Sequence, residues 1–341
     1  MNIEFDKRLE LLYGLIYSVN RDMNNQLHPG LFVEELPNYN NEFYKLYKEN
    51  ASDELIEYIK NNGINGNWNQ PCYIALSLDE NYNIIGNDLL NKEVIKENVN
   101  FDKEKVERLI KEFVLKSNYE EFFNSHKSLY DVIIKSYIES MSKYNVFDEN
   151  FIINFYGYKK GDMSIKLYNF TSGSMGILIN NTQYYIQRVD NIGKDEENFV
   201  FKPKLFTMIH EFSHPYINPL VEKYFIDIDC YNLYEEILEN DINSNIKNNY
   251  ILLNRENAYE ILKEYLVRAV TIYLAGKYES IETIEKAKRN QYECGFIHIE
   301  EIIKLFNRKD EYNNFEDFFK KEIVNYFLNI KSNVKKVDNI V

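Results

Sequence analysis

Phe206-Thr207-Met208-Ile209-His210-Glu211-Phe212-Ser213-His214 is the stretch from which the rest of this chain is read. It contains H-E-x-x-H, two histidines four residues apart. On a helix they stand one turn apart on one face, so both imidazoles reach a single metal ion. Glu211 lies about 100° round from His210, near enough to that face to hold a metal-bound water. Metal-assisted hydrolysis needs this set: two neutral nitrogen ligands, an open metal position and a carboxylate to take the water's proton.

The flanking residues predict a helix. Leu205, Met208, Ile209 and Phe212 fall on the side away from the histidines, giving a core face and a polar face. Lys202-Pro203 can open the helix, because proline is tolerated in the first turn. Pro215 disfavours the α conformation at His214, which predicts an end or a kink there. Ile217 and Leu220 occupy the positions where H-E-x-x-H-x-x-G-x-x-H would have its glycine and third histidine. A downstream glutamate is therefore the expected third ligand.

Asn254 to Gly276 reads as a strong helix with Leu262, Tyr265, Leu266, Ala269, Val270 and Tyr273 on one broad apolar face. Val267 and Ile272 make the opposite side apolar too, which predicts a buried helix. Glu264, Arg268 and Thr271 share that second side. A carboxylate there needs a cation, from a metal or from Arg268 at i+4. The expectation is Glu264 as metal ligand with Arg268 supporting it from behind. The alternative is an intrahelical Glu264–Arg268 pair without metal. Glu260 sits one turn earlier in a more polar setting, and Glu235 and Glu236 in a less regular segment. His298 reads as a structural histidine at a helix start and His126 as a surface or capping residue.

The bulk numbers bound the class. A chain of 341 residues can bury a full core, as one large or two moderate domains. Its 45% hydrophobic and 28% charged residues are those of a soluble globular protein. A net charge of −14 argues against nucleic acid or an anionic membrane as main partner. Cys72, Cys230 and Cys294 form no C-x-x-C and fit a reducing compartment. The charged N-terminus is no secretory h-region, and no apolar run approaches the roughly 20 residues of a membrane span. A cytoplasmic protein is expected, although a leader removed beforehand would leave no trace. Nothing in the sequence fixes an oligomeric state.

Asp6 to Val19 reads as a helix, residues 20–40 as loop, and 41–61 as two short helices. Cys72 to Leu78 is a candidate strand. Phe101 to Tyr144 reads as two helices. From Phe151 the period changes: 151–156, 163–170, 175–179 and 183–189 are short runs rich in Ile, Tyr and Phe, separated by turn residues. They predict a small antiparallel sheet just ahead of the motif helix, whose edge strand could receive an extended peptide. Segments 219–239 and 241–249 read as turn and short helix, 280–327 as three helices, and the tail from Lys331 as frayed. No repeat, phosphate-binding glycine loop or nucleophilic Ser/Cys motif is present.

His210-Glu211-Phe212-Ser213-His214 followed by Glu264-Tyr265-Leu266-Val267-Arg268-Ala269 resembles the gluzincin branch of zinc metallopeptidases. The resemblance implies zinc held by His210, His214 and Glu264, with Glu211 as general base. The N-terminal Asp6-Lys7-Arg8-Leu9-Glu10-Leu11-Leu12 is similar to the opening D-x-R-x-E-L-L of a bacterial domain-of-unknown-function family taken for zinc peptidases. Together they imply an α+β, zincin-like fold: a mostly helical region 1–150, then a catalytic region 151–341. The implied reaction is peptide-bond hydrolysis on a peptide or protein substrate. The alternative is a non-catalytic binding or structural protein that keeps the fold.

Overall fold

The computed structural model describes residues 1–27, 35–61, 63–64, 69–86, 90–144, 146, 148–170, 173–196, 198–225, 258–294 and 296–329. Helix dominates them, and none of the described helices is long and apolar enough to cross a membrane. In chain order the helices used below are α1 (Lys7–Asp22), α2 (Pro37–Asn50), α3 (Asp53–Lys60), α4 (Gln70–Leu76), α5 (Lys103–Ser117), α6 (Tyr119–Ser125), α7 (Lys127–Ser142) and α8 (Asn150–Tyr156). They continue with α9 (Leu205–Phe225), α10 (Ala258–Ala275), α11 (Ile281–Glu293) and α12 (Ile299–Phe306), and residues 315–329 close the described chain as helix.

Four strands, β1 (Asn2–Phe5), β2 (Asp162–Tyr168), β3 (Ser174–Ile179) and β4 (Thr182–Arg188), form a sheet in the order β1-β2-β4-β3. β1 is parallel to β2, with Asn2 opposite Ser164 and Phe5 opposite Leu167. β4 also runs parallel to β2: Asp162 N–H donates to the Asn181 carbonyl at one end and Val189 N–H to that of Tyr168 at the other. β3 returns on β4 through Asn180-Asn181, whose φ values of 47° and 62° are those a two-residue type I′ turn requires. The fold is therefore α+β, as expected, but its sheet is mixed and not antiparallel. Strand composition does not encode pairing direction, which the crossover connections set.

Three strand expectations hold to within a residue or two, and two others fail. Residues 151–156 form α8, which ends at Gly157 with φ of 79°, and 72–78 lies largely in α4, which has Pro71 in its first turn. Short apolar runs do not distinguish strand from buried helix by period. Residues 101–144 make three helices rather than two, because Asn118 takes the left-handed conformation between α5 and α6 (φ 51°). Of the expected turn and short helix over 219–239 and 241–249, residues 219–225 instead continue α9, and the remainder, with Cys230 and the tail from Lys331, lies outside the described residues.

The chain divides into two compact units: 1–143, 163–175 and 184–203 form one, and 144–162, 176–183 and 204–341 the other. The expected boundary at residue 150 falls inside the first segment of the second unit. In the first unit α1 is buried on nearly every side from Leu9 to Asn20. The D-x-R-x-E-L-L residues start it. Asp6 caps α1 by accepting the Arg8 N–H at 3.0 Å and pairs with the Arg8 guanidinium at 2.8 Å. Glu10 is wholly buried, with the Asn169 N–H on its carboxyl at 3.0 Å. Burial pushes that carboxyl up to about 8, against the lowering effect of its hydrogen bonds.

In the second unit α9 packs along α10. α9 buries Leu205, Met208, Ile209 and Phe212, as its spacing predicts, and α10 is buried all round, Val267 and Ile272 included. Tyr156 of α8 stacks on Tyr216 of α9 with ring centroids 4.1 Å apart. Aromatic contacts among Phe155, Phe306 and Phe315 extend the core.

Candidate metal centre

α9 carries the two motif histidines through Pro215 without ending: the helix runs from Leu205 to Phe225 with Pro215 and Pro219 inside it. The helix therefore does not end at His214, one of the two outcomes expected there. Pro215 still has a local effect. Its missing N–H deprives the Glu211 carbonyl of its helical donor, and that carbonyl faces β3. A Cβ added to Gly176 would collide with the Glu211 carbonyl oxygen. Only glycine lets strand and helix backbones approach this closely. At the same point the Gly176 N–H donates to Glu211 Oε2 at 2.7 Å.

The other side of the site is α10. His210 Nε2 and His214 Nε2 are 3.1 Å apart, Glu264 Oε1 is 3.4 Å from the latter, and Glu264 Oε2 is 3.6 Å from the former. A tetrahedral ion with bonds of about 2.0–2.1 Å holds its ligand atoms about 3.3 Å apart. Each imidazole thus has one of the two Glu264 oxygens near that spacing, and one ligand atom from each of the three residues lies within 4.8 Å of the others, a group that could hold one metal ion. His214 Nδ1 faces Asn218 Oδ1 at 3.3 Å. With its proton donated there, the Nε2 lone pair turns toward His210 and Glu264.

Arg268 closes the site from behind. Its Nε and one terminal nitrogen donate to Glu264 Oε2 at 3.1 and 3.0 Å, and its other terminal nitrogen to Gln291 Oε1 at 2.9 Å. The guanidinium also lies 4.8 Å from the ring centre of Phe296. The electrostatics follow. Burial raises the Glu264 carboxyl, but His210, Arg268 and His214 outweigh it and hold it at about 2. Burial, and then the proximity of His210, pushes His214 down, which keeps it neutral and able to ligate. Burial lifts Glu211 to about 7 despite His210 and the Gly176 N–H, and the Glu264 charge adds to the rise.

The expected residues are thus brought together: His210, His214 and Glu264 converge, Glu211 stands on the β3 side and Arg268 behind Glu264. Glu260 is exposed and pairs with Lys263 at 2.7 Å. Glu235 and Glu236 lie outside the described residues. His298 stands at the N-cap position of α12 without a side-chain capping bond and meets the Tyr326 hydroxyl at 2.7 Å, while His126 stands between α6 and α7 with Nδ1 2.8 Å from the Phe122 carbonyl oxygen. Sequence reading missed Asn218, Gly176 and Gln291. Asn218 stands at i+4 from His214, and a glycine inside a strand signals close backbone approach, so both left a trace. Gln291 left none, since only folding brings α11 beside Arg268.

The profile of one family, described as a domain of unknown function (DUF4932), matches residues 55–330. The chain belongs to that family. The match takes in His210, Glu211, His214, Glu264 and Arg268, whereas the D-x-R-x-E-L-L stretch precedes it. No curated protein and no solved structure matches the chain.

Proposed function

We propose that this protein is a zincin-like, zinc-dependent peptidase that hydrolyses peptide bonds. The observation that carries the reading is the convergence of His210, His214 and Glu264 at ligand–ligand distances, with a second carboxylate, Glu211, beside them. Two imidazole nitrogens and one carboxylate oxygen are the donor set that zinc takes when one position stays open for water or substrate. Zinc bound there supplies a Lewis acid for the scissile carbonyl and acidifies its water.

The chain's own residues do the rest. Glu211 takes a proton from the attacking water and delivers it to the leaving amine. A carboxyl lifted toward neutrality suits both halves of that transfer. The Gly176 N–H holds the carboxylate in place until it turns to the water. β3 is an edge strand, so its segment Gly176–Ile179 offers backbone groups to an extended peptide laid along it. Arg268 fixes the Glu264 carboxylate so that its oxygens face the imidazoles.

The test is zinc analysis of purified protein together with digestion of a mixed peptide library by wild type and Glu211→Gln. About one zinc per chain and cleavage abolished by Glu211→Gln support the reading. A zinc-loaded wild type that cleaves nothing would favour a non-catalytic binding protein.

A further inference from the structure

Beside His210 the second unit holds a cavity of about 250 Å³ between α9, α10 and α11. We propose that it is the subsite for an acidic side chain, aspartate or glutamate, on the residue next to the bond that is cut. The proposal rests on the peptidase reading above. Because His210 is a candidate metal ligand and also lines the cavity, whatever fills the cavity lies next to the reacting carbonyl.

The lining selects the charge. Among the described residues, the one ionisable side chain in the lining apart from His210 is Arg268, and no carboxylate lines the cavity. Glu264 offsets Arg268 in the metal-free protein, but a carboxylate bound to a dication has its charge committed there, leaving the guanidinium field directed at the cavity. Gln291 gives its carbonyl oxygen to Arg268, so its amide presents –NH2 as a donor. The Thr207 hydroxyl adds a further donor to the lining. Phe206 and Ile272 supply apolar wall for the methylenes of a glutamate stem. Donors, a guanidinium and a short apolar wall suit a carboxylate. A lysine or arginine in the same space would bring a second cation against Arg268.

The experiment uses the zinc-loaded full chain and peptides identical except for Glu, Gln or Lys at each of the two positions flanking the cleaved bond. At one position kcat/KM should favour Glu over Lys by about ten-fold or more, with Gln between. Calorimetric binding to zinc-loaded Glu211→Gln should give the same order without turnover. Gln291→Glu places a carboxylate in the wall and should shift the preference toward Lys with zinc content kept. Thr207→Asp should do the same and stands in where Gln291→Glu fails to fold. Glu211-dependent cleavage that is indifferent to Glu and Lys at both positions overturns the subsite and leaves the peptidase reading standing. Absence of any Glu211-dependent cleavage by zinc-loaded protein overturns both.

Discussion

Truncating Glu264 to alanine separates a ligand from a plain ion-pair partner. In the metal-free protein its carboxyl is held at about 2, against 4.5 for the free group. At about 1.4 kcal/mol per unit, its hydrogen bond from His210 and the neighbouring charges, net of burial, favour the ionised form by about 3 kcal/mol. A depressed carboxyl contributes stability that is fully present above its unfolded value and lost as the pH falls through its folded value, here between 4.5 and about 2. Glu264→Ala removes that contribution and leaves Arg268, only 26% exposed, without its counter-charge. The variant should therefore be less stable at pH 7 by about 1–3 kcal/mol, with a shallower decline in acid.

That loss follows with or without a metal, so zinc decides. Free zinc at about 100 times its dissociation constant stabilises a one-site protein by about 2.7 kcal/mol. If losing one of three ligands weakens binding about 100-fold, the same zinc stabilises Glu264→Ala by only about 0.4 kcal/mol. Urea unfolding at pH 7, with and without zinc, measures both numbers, and Glu260→Ala serves as the exposed control. Equal zinc-induced stabilisation of wild type and Glu264→Ala would refute Glu264 as a ligand.

Other perturbations test separate parts of the argument. Glu211→Gln should keep zinc and fold while proteolysis falls by about 10³-fold or more, and near wild-type turnover would contradict its role as base. Gly176→Ala should force β3 away from the Glu211 carbonyl, costing about 1–3 kcal/mol of stability and lowering activity with zinc retained; unchanged stability would show that the approach is not tight. Glu10 is raised rather than lowered, so the sign reverses: the unfolded chain releases its proton first, and wild type should lose stability as pH rises from 4.5 to about 8. Glu10→Gln should flatten that slope by a few kcal/mol, read from urea midpoints at pH 5 and 8, and parallel curves for the two proteins would end the assignment.

Several features were legible because they depend on neighbours in sequence. The i, i+4 spacing of His210 and His214 puts both rings on one helical face whatever surrounds them. The burial of α10 on all sides, and the pairing of Glu264 with Arg268 one turn later, follow from helical period alone. Pro215 shows the limit of local preference. Taken alone it predicts an end or a kink, yet the helix does not end there because both flanks bury Phe212, Ile217 and Leu220, and packing outweighs one missing backbone donor.

The rest depends on contacts between segments far apart in the chain. Strand composition placed β2, β3 and β4, but their order and the parallel pairing of β4 with β2 came from how the connections return the chain. The bond from Gly176 to Glu211 joins residues 35 apart, and that from Arg268 to Gln291 residues 23 apart. The sequence alone thus determined two histidines on one face and a carboxylate that must find a cation. Tertiary structure decided that the carboxylate meets those histidines at ligand distance, because helix packing, not spacing along the chain, sets the separation of α9 and α10.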